Sequence, residues 1–141
     1  MKFAIVGSRT FNDYELLKDE VDKLLKECNI TEIVTGGAKG ADSLAERYAK
    51  ENNLKLTIFH PEWNKYGKRA GYIRNDKIWQ YADIGIAFWD GKSKGTQHSF
   101  KLAEKYGKKL KVIKFWKRKN KEIKWQKNKH KKLKNILIKV I

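Results

Sequence analysis

The sequence predicts an α/β protein, a doubly wound parallel sheet with strand order 3-2-1-4-5. Five short apolar runs alternate with segments of helical period, and four of those runs lead into irregular, mostly glycine-bearing loops. A chain of 141 residues with 40% hydrophobic content suffices for one compact core but not for two full domains. Alternating strands and helices imply right-handed crossovers and helices on both faces of the sheet.

Residues 2–6 are a short apolar run that ends in Gly7-Ser8-Arg9, the pattern of a buried parallel strand emerging into a loop. Asn12 with Glu15 three residues on resembles a capping-box helix start, and Leu17, Val21, Leu24, Leu25 and Cys28 then recur along one helical face. The second strand, residues 32–35, runs into Gly36-Gly37-Ala38-Lys39-Gly40-Ala41-Asp42, after which a helix extends to residue 51 and closes at Asn52-Asn53. Residues 54–59 form the third strand. Residues 60–71 hold the only proline and read as a long loop before a helix at 72–81. The fourth strand is 83–88. Residues 89–95 are a turn, Thr96 N-caps a helix that runs to Tyr106, Gly107 stops it, and residues 110–116 are the fifth strand.

In such sheets the ligand crevice lies outside the carboxyl ends of the strands where the strand order switches, here between the first and fourth strands. The loops after the first four strands all converge on that edge. Gly36, Gly37 and Gly40 let backbone approach an anion, and the helix behind them offers unpaired N–H groups and the positive end of its dipole, so the turn suits phosphate, with Ala38, Lys39 and Asp42 beside it. The same glycines also suit a tight strand-to-helix turn. The pattern is neither the G-x-G-x-x-G fingerprint nor a Walker A loop.

Trp89, Asp90, Gly91, Ser93, Gly95 and Thr96 form a second candidate anion or ribose contact, in which Asp90 either accepts from a ribose hydroxyl or caps its own turn. Arg9 and Arg74, the latter with Asn75 on the first turn of its helix, sit where guanidinium groups pair with phosphate oxygens. Trp63 and Trp89 either stack on a base or pack beneath their loops, whereas Phe11 packs. His60, His98 and His130 lack metal-ligand spacing, and no nucleophile elbow or paired-carboxylate motif is present, so neither metal nor cofactor is expected.

Gly7-Ser8-Arg9 with Phe11, Gly36-Gly37-Ala38 with Gly40-Ala41-Asp42, Pro61 with Trp63 and Gly67, Ala70-Gly71, Arg74-Asn75, and Trp89-Asp90-Gly91 with Ser93, Gly95 and Thr96 together resemble the SLOG superfamily, in particular its YspA-like, YpsA-related members. The resemblance spans about residues 2–114 and implies a Rossmann-like fold that binds a nucleotide or nucleotide-derived small molecule. Related groups include DNA-processing protein A, which binds single-stranded DNA, and the cytokinin-activating phosphoribohydrolases. The latter carry Gly-Gly-x-Gly-Thr-x-x-Glu, whereas here Gly95-Thr96 is followed by Gln97, His98 and Ser99, so the catalytic glutamate of that motif is absent.

Charge is uneven. Residues 1–107 hold 18 Lys+Arg against 15 Asp+Glu, and residues 108–141 hold 15 against 1, so the net charge of +17 belongs mostly to the end of the chain. The expected organisation is a nucleotide-binding domain at 1–116 and a lysine-rich, β-rich extension at 117–141. Strand-like stretches at 122–126 and 135–141 flank lysines at 127–134, and the apolar end pairs with a sheet edge or a partner chain, which makes a homo-oligomer expected. Such a tail attracts nucleic acid through counterion release, or serves as a solubilising segment. A lone Cys28, no apolar run of about 20 residues and no signal peptide predict a cytoplasmic protein without membrane contact.

The leading expectation is a sensor or sequestering protein that binds a nucleotide or a nucleotide-derived signalling molecule, of the small phage or plasmid type. The alternatives are a hydrolase of N-glycosidic or phosphoester bonds with Asp42 or Asp90 as general base, and a binder of single-stranded nucleic acid.

Overall fold

The computed structural model describes residues 1–115, 124–126 and 136–140. The chain runs β1 (Lys2–Gly7), α1 (Tyr14–Glu27), β2 (Glu32–Thr35), α2 (Ala41–Glu51), β3 (Lys55–Ile58), α3 (Trp63–Tyr66), a 3-10 turn (Gly67–Arg69), α4 (Ala70–Tyr81), β4 (Ile84–Trp89), α5 (Lys94–Lys105), β5 (Lys109–Lys114), β6 (Lys124–Gln126) and β7 (Ile136–Val140). The sheet order is β3-β2-β1-β4-β5-β7-β6. Its first five strands are parallel in the predicted order, and the switch falls between β1 and β4, where Phe3 pairs with Ile84 and Gly7 with Phe88.

The two-residue period of the strands sorts side chains onto two faces. Phe3, Ile5, Ile33, Ile86 and Phe88 point toward α1 and α2, where Leu17, Val21, Ala45 and Tyr48 complete a buried core. Ala4, Val6, Val34, Ala87 and Val112 point toward α4 and α5, against Ile78, Trp79, Phe100 and Ala103. Small strand residues on this second face leave space for the largest buried side chain. A Cβ at Gly85 would lie 2.5 Å from the Trp79 ring and 2.9 Å from the Ala4 carbonyl oxygen.

Three helix starts differ from the sequence reading. Asp13, not Asn12, caps α1, its carboxylate accepting from the Leu16 N–H at 3.1 Å. The span 60–71 is not one loop, since it contains α3 and the 3-10 turn, and α4 begins at Ala70, which moves Arg74 and Asn75 from the first turn into the second. Ser93, not Thr96, caps α5. The Ser93 hydroxyl oxygen accepts from both the Thr96 N–H and the Thr96 hydroxyl, and Thr96 is buried in the first turn. Gly107 closes α5 as expected, with the Lys108 N–H donating to the Ala103 carbonyl at 2.8 Å.

The apolar end of the chain finds its partner within the chain. β7 pairs parallel to β5, from Leu110 with Ile136 to Lys114 with Val140, and Ile136 and Ile138 join the second core. β6 adds antiparallel to β7. The expected turn at 117–121, the lysines at 127–134 and the remaining ends of these strands lie outside the described residues. Among the described residues no helix is long and apolar enough to cross a membrane.

Gly85→Ala is expected to destabilise the fold by about 1–3 kcal/mol through overpacking. The Trp79 Nε1 has no hydrogen-bond partner among the described residues, so Trp79→Phe loses no such bond while freeing space. A denaturant double-mutant cycle should therefore show the pair less destabilised than the two single changes added together.

Candidate functional site

The carboxyl ends of β1, β2 and β4 open onto a cleft of about 390 Å³. Gly7, Arg9, Ala38 and Asp42 lie on one side, Trp63, Arg74 and Asn75 on another, and Asp90, Ser93, Gly95 and Thr96 close the third. A smaller chamber of about 250 Å³ adjoins it, lined by Gly37, Lys39 and Pro61 together with Arg9, Ala38, Trp63 and Arg74. Four loops distant in sequence thus meet at the topological switch.

Several candidates build this cleft without lining it. Ser8 is 1% exposed: its N–H donates to the Phe88 carbonyl, its carbonyl accepts from Phe11 and Ala41, and its hydroxyl accepts from the Asp90 N–H at 3.1 Å. Gly36 gives room to Arg74, whose guanidinium would lie 2.6 Å from any Cβ there. Gly40, at φ +77°, faces the backbone of Ser8 and Arg9 at 2.5–2.6 Å, where only a residue without Cβ fits. Gly91 faces Lys114. Trp89 packs beneath its loop, its indole N–H donating to the Ser93 carbonyl and its ring set edge-on to Phe100. Phe11 stacks on Phe88 at 4.5 Å.

Arg74 is the fixed cation. Its Nη1 donates to the Gly36 carbonyl and its Nε to the Asn75 Oδ1 at 2.7 Å. Asn75, 7% exposed, donates in turn to the Gly95 carbonyl and lies 3.5 Å from the His98 ring nitrogen. Burial pulls the Arg74 pKa down, the Asp42 carboxylate opposes that shift, and the second cation Arg9 adds to it. Burial also lowers the pKa of His98, which favours the neutral ring.

The two carboxylates differ sharply. Asp42 is 4% exposed; its Oδ2 accepts from the Ala38 N–H at 3.2 Å, and its Oδ1 meets no partner in hydrogen-bond geometry among the described residues. Burial raises its pKa, against the pull of Ala38, Arg74, the nearby Thr35 hydroxyl and the Gly36 amide. Asp90 spends its lone pairs mainly on its own turn, accepting from the Lys92 and Ser93 N–H groups at 2.8 Å each, and also from the Thr10 hydroxyl of the loop after β1. Burial pushes its pKa up, but those backbone bonds and the Ser8 and Thr10 hydroxyls hold it below the ordinary value. Asp90 is thus a turn brace and poorly placed to act as a base.

Sequence reasoning missed Thr10, Lys68, Tyr72 and Ser99, all of which line the cleft. Ser99 carried a usable signal, because it sits three residues after Thr96 on the same helical face. Tyr72 and Trp63 are large apolar side chains left about half exposed, at 47% and 48%, and both stand at the cleft. Trp63 leans over Gly71, and Tyr72 meets the His98 ring at 4.6 Å between centroids.

A model of the YspA, cpYpsA-related SLOG family matches residues 1–66. The Gene 61 protein of Mycobacterium phage D29 is 35% identical over 121 residues, spanning 81% of this chain and 95% of that protein. Among solved structures, DNA processing protein A from Helicobacter pylori, studied for its single-stranded DNA binding mode, aligns with a TM-score of 0.62 at 24% identity, over 85% of this chain and 67% of that one. That likeness is one of fold. The chain belongs to the YspA, cpYpsA-related SLOG family.

The carboxylates predict opposite pH signatures. The folded chain keeps the Asp42 proton to higher pH than the unfolded chain, so its contribution to stability falls as pH climbs from about 3.8 through the raised folded value. Asp42→Asn should therefore gain in Tm relative to the parent as pH rises. Asp90 contributes above about 3.8 and loses that contribution as pH falls through its lowered folded value. Asp90→Ala should cost about 1.5–3 kcal/mol at neutral pH and progressively less in acid. Thermal melts across pH test both, and parallel profiles would contradict the assignment.

Proposed function

We propose that this SLOG-family chain binds a phosphate-bearing nucleotide, or a signalling molecule derived from one, and serves as a sensor or sequestering protein. The observation that carries this reading is the convergence of Arg9 and Arg74 on one cleft at the switch of strand order, with Lys68 and Lys39 beside them. Arg74 is held by Gly36 and Asn75 and partly desolvated, which strengthens its attraction to an anion. Hydroxyls of Thr10, Thr96 and Ser99 line the cleft as partners for sugar or base, and Trp63 and Tyr72 offer ring faces.

Catalysis is less well supported. A hydrolase needs a base free to accept a proton and an acid to match it. Asp90 is engaged by its own turn, and Asp42 has one oxygen committed to the Ala38 N–H. Binding of single-stranded nucleic acid is the second reading, favoured by the fold shared with DNA processing protein A and by the net +14 of residues 108–141. On that reading the extension contacts phosphates and affinity falls steeply with salt.

Incubation of the purified chain with mononucleotides and cyclic dinucleotides, followed by liquid chromatography and mass spectrometry of bound and free fractions, should show a ligand retained intact. Arg74→Ala should weaken retention by roughly tenfold or more, the scale of a lost charged hydrogen bond. Conversion to free base or ribose phosphate would replace the binding reading with a hydrolase.

A further inference from the structure

The cleft has two chambers that share one wall. Arg9, Ala38, Trp63 and Arg74 border both the larger chamber and the smaller one. Beyond that wall the chambers differ. The larger holds hydroxyl-bearing Thr10, Thr96 and Ser99 and the half-exposed Tyr72, and the smaller holds Gly37, Lys39 and Pro61. Both arginines therefore stand in the middle of the site, not at an end.

We infer that the ligand carries its phosphate in its centre, between two nucleosides, so that it is a dinucleotide with an internal phosphodiester or pyrophosphate. The inference rests on the nucleotide-binding reading above and narrows it. A mononucleotide carries its anion at one end. With that end on Arg9 and Arg74, its nucleoside fills one chamber and leaves the other to water. A ligand with a central anion places one base and sugar in each chamber, with Trp63 at the junction. The two guanidiniums also repel each other across this wall, and Arg9 depresses the Arg74 pKa. A bridging anion relieves that repulsion, which gives the central position its own electrostatic gain.

Calorimetric titration of the full chain tests the inference with three probe sets, each with adenine and with guanine: dinucleotides joined by a phosphodiester or a pyrophosphate, nucleoside monophosphates, and nucleoside triphosphates. The triphosphate matches or exceeds the dinucleotide in charge but lacks the second base. The expected result is a dinucleotide bound at least about tenfold more tightly than either of the others, on the scale of one stacked base. Tyr72→Ala, in the larger chamber, and Lys39→Ala, in the smaller, should each weaken the dinucleotide. Both residues are exposed or nearly so, and neither holds the core.

Equal affinity for mono- and dinucleotide, or tighter binding of the triphosphate, overturns the central-phosphate inference and leaves nucleotide binding standing. The phosphodiester dinucleotide is also extended to tri- and tetranucleotides, and an affinity that keeps rising with length overturns the inference in favour of a strand. Failure of every probe to bind at millimolar concentration overturns the nucleotide reading itself.

Discussion

The start of α2 lies against the ends of β1 and β4 with no room for a side chain at Gly7 or Gly40, and the cleft depends on that approach. A Cβ at Gly7 would collide with the Phe88 carbonyl and the Ala41 methyl, and one at Gly40 with the Ser8 and Arg9 backbone. The contact lets the Ala41 N–H reach the Ser8 carbonyl and puts the Ser8 hydroxyl within reach of the Asp90 amide. Three loops are thereby tied at one point before any ligand is considered. Replacing either glycine sets a Cβ against backbone atoms, which side-chain repacking cannot relieve.

From that knot the polar groups divide by what already occupies them. Asp90 and Ser93 spend most of their hydrogen-bonding capacity on their own turn and helix start, Asn75 joins Arg74 to the Gly95 carbonyl, and together they fix the shape of the site. Arg74 is half in each class, anchored by donating to two acceptors yet bordering both chambers. The aromatic groups divide in the same way. Trp89 and Phe11 pack inward, and Trp63 and Tyr72 remain at the rim.

The sheet order was legible because a doubly wound chain leaves few choices once five apolar runs alternate with helices. Cap positions were not, since Asn12 and Asp13 are chemically alike, as are Ser93 and Thr96, and a shift of one to three residues turns on local dihedrals that residue type does not set. The helix α3 spans only Trp63–Tyr66, too short for any periodic signal. The glycine turn was found by counting, but counting cannot say what each glycine faces. Gly36 makes room for Arg74, Gly37 for the His60 ring, and Gly40 for the Ser8–Arg9 backbone, all partners distant in sequence. For the same reason Trp63 and Trp89 looked equivalent until their neighbours were known.

On the nucleotide-binding reading proposed above, the electrostatics of the cleft suit a ligand that brings negative charge. Arg9 and Arg74 are near enough to disfavour each other, and the acid beside them does not form an ion pair that would neutralise both. Asp42 is desolvated, with one oxygen committed to Ala38, and its burial favours the neutral form. In its protonated form Asp42 would leave the guanidinium charge uncompensated and carry an O–H able to donate to an anionic oxygen. An ionised Asp42 would instead repel that oxygen at short range in a poorly solvated site. The tight seating of α2 thus does two things at once: it buries the Asp42 carboxyl at the start of the helix, and it ties the loops that bring Arg9 and Arg74 to the same cleft.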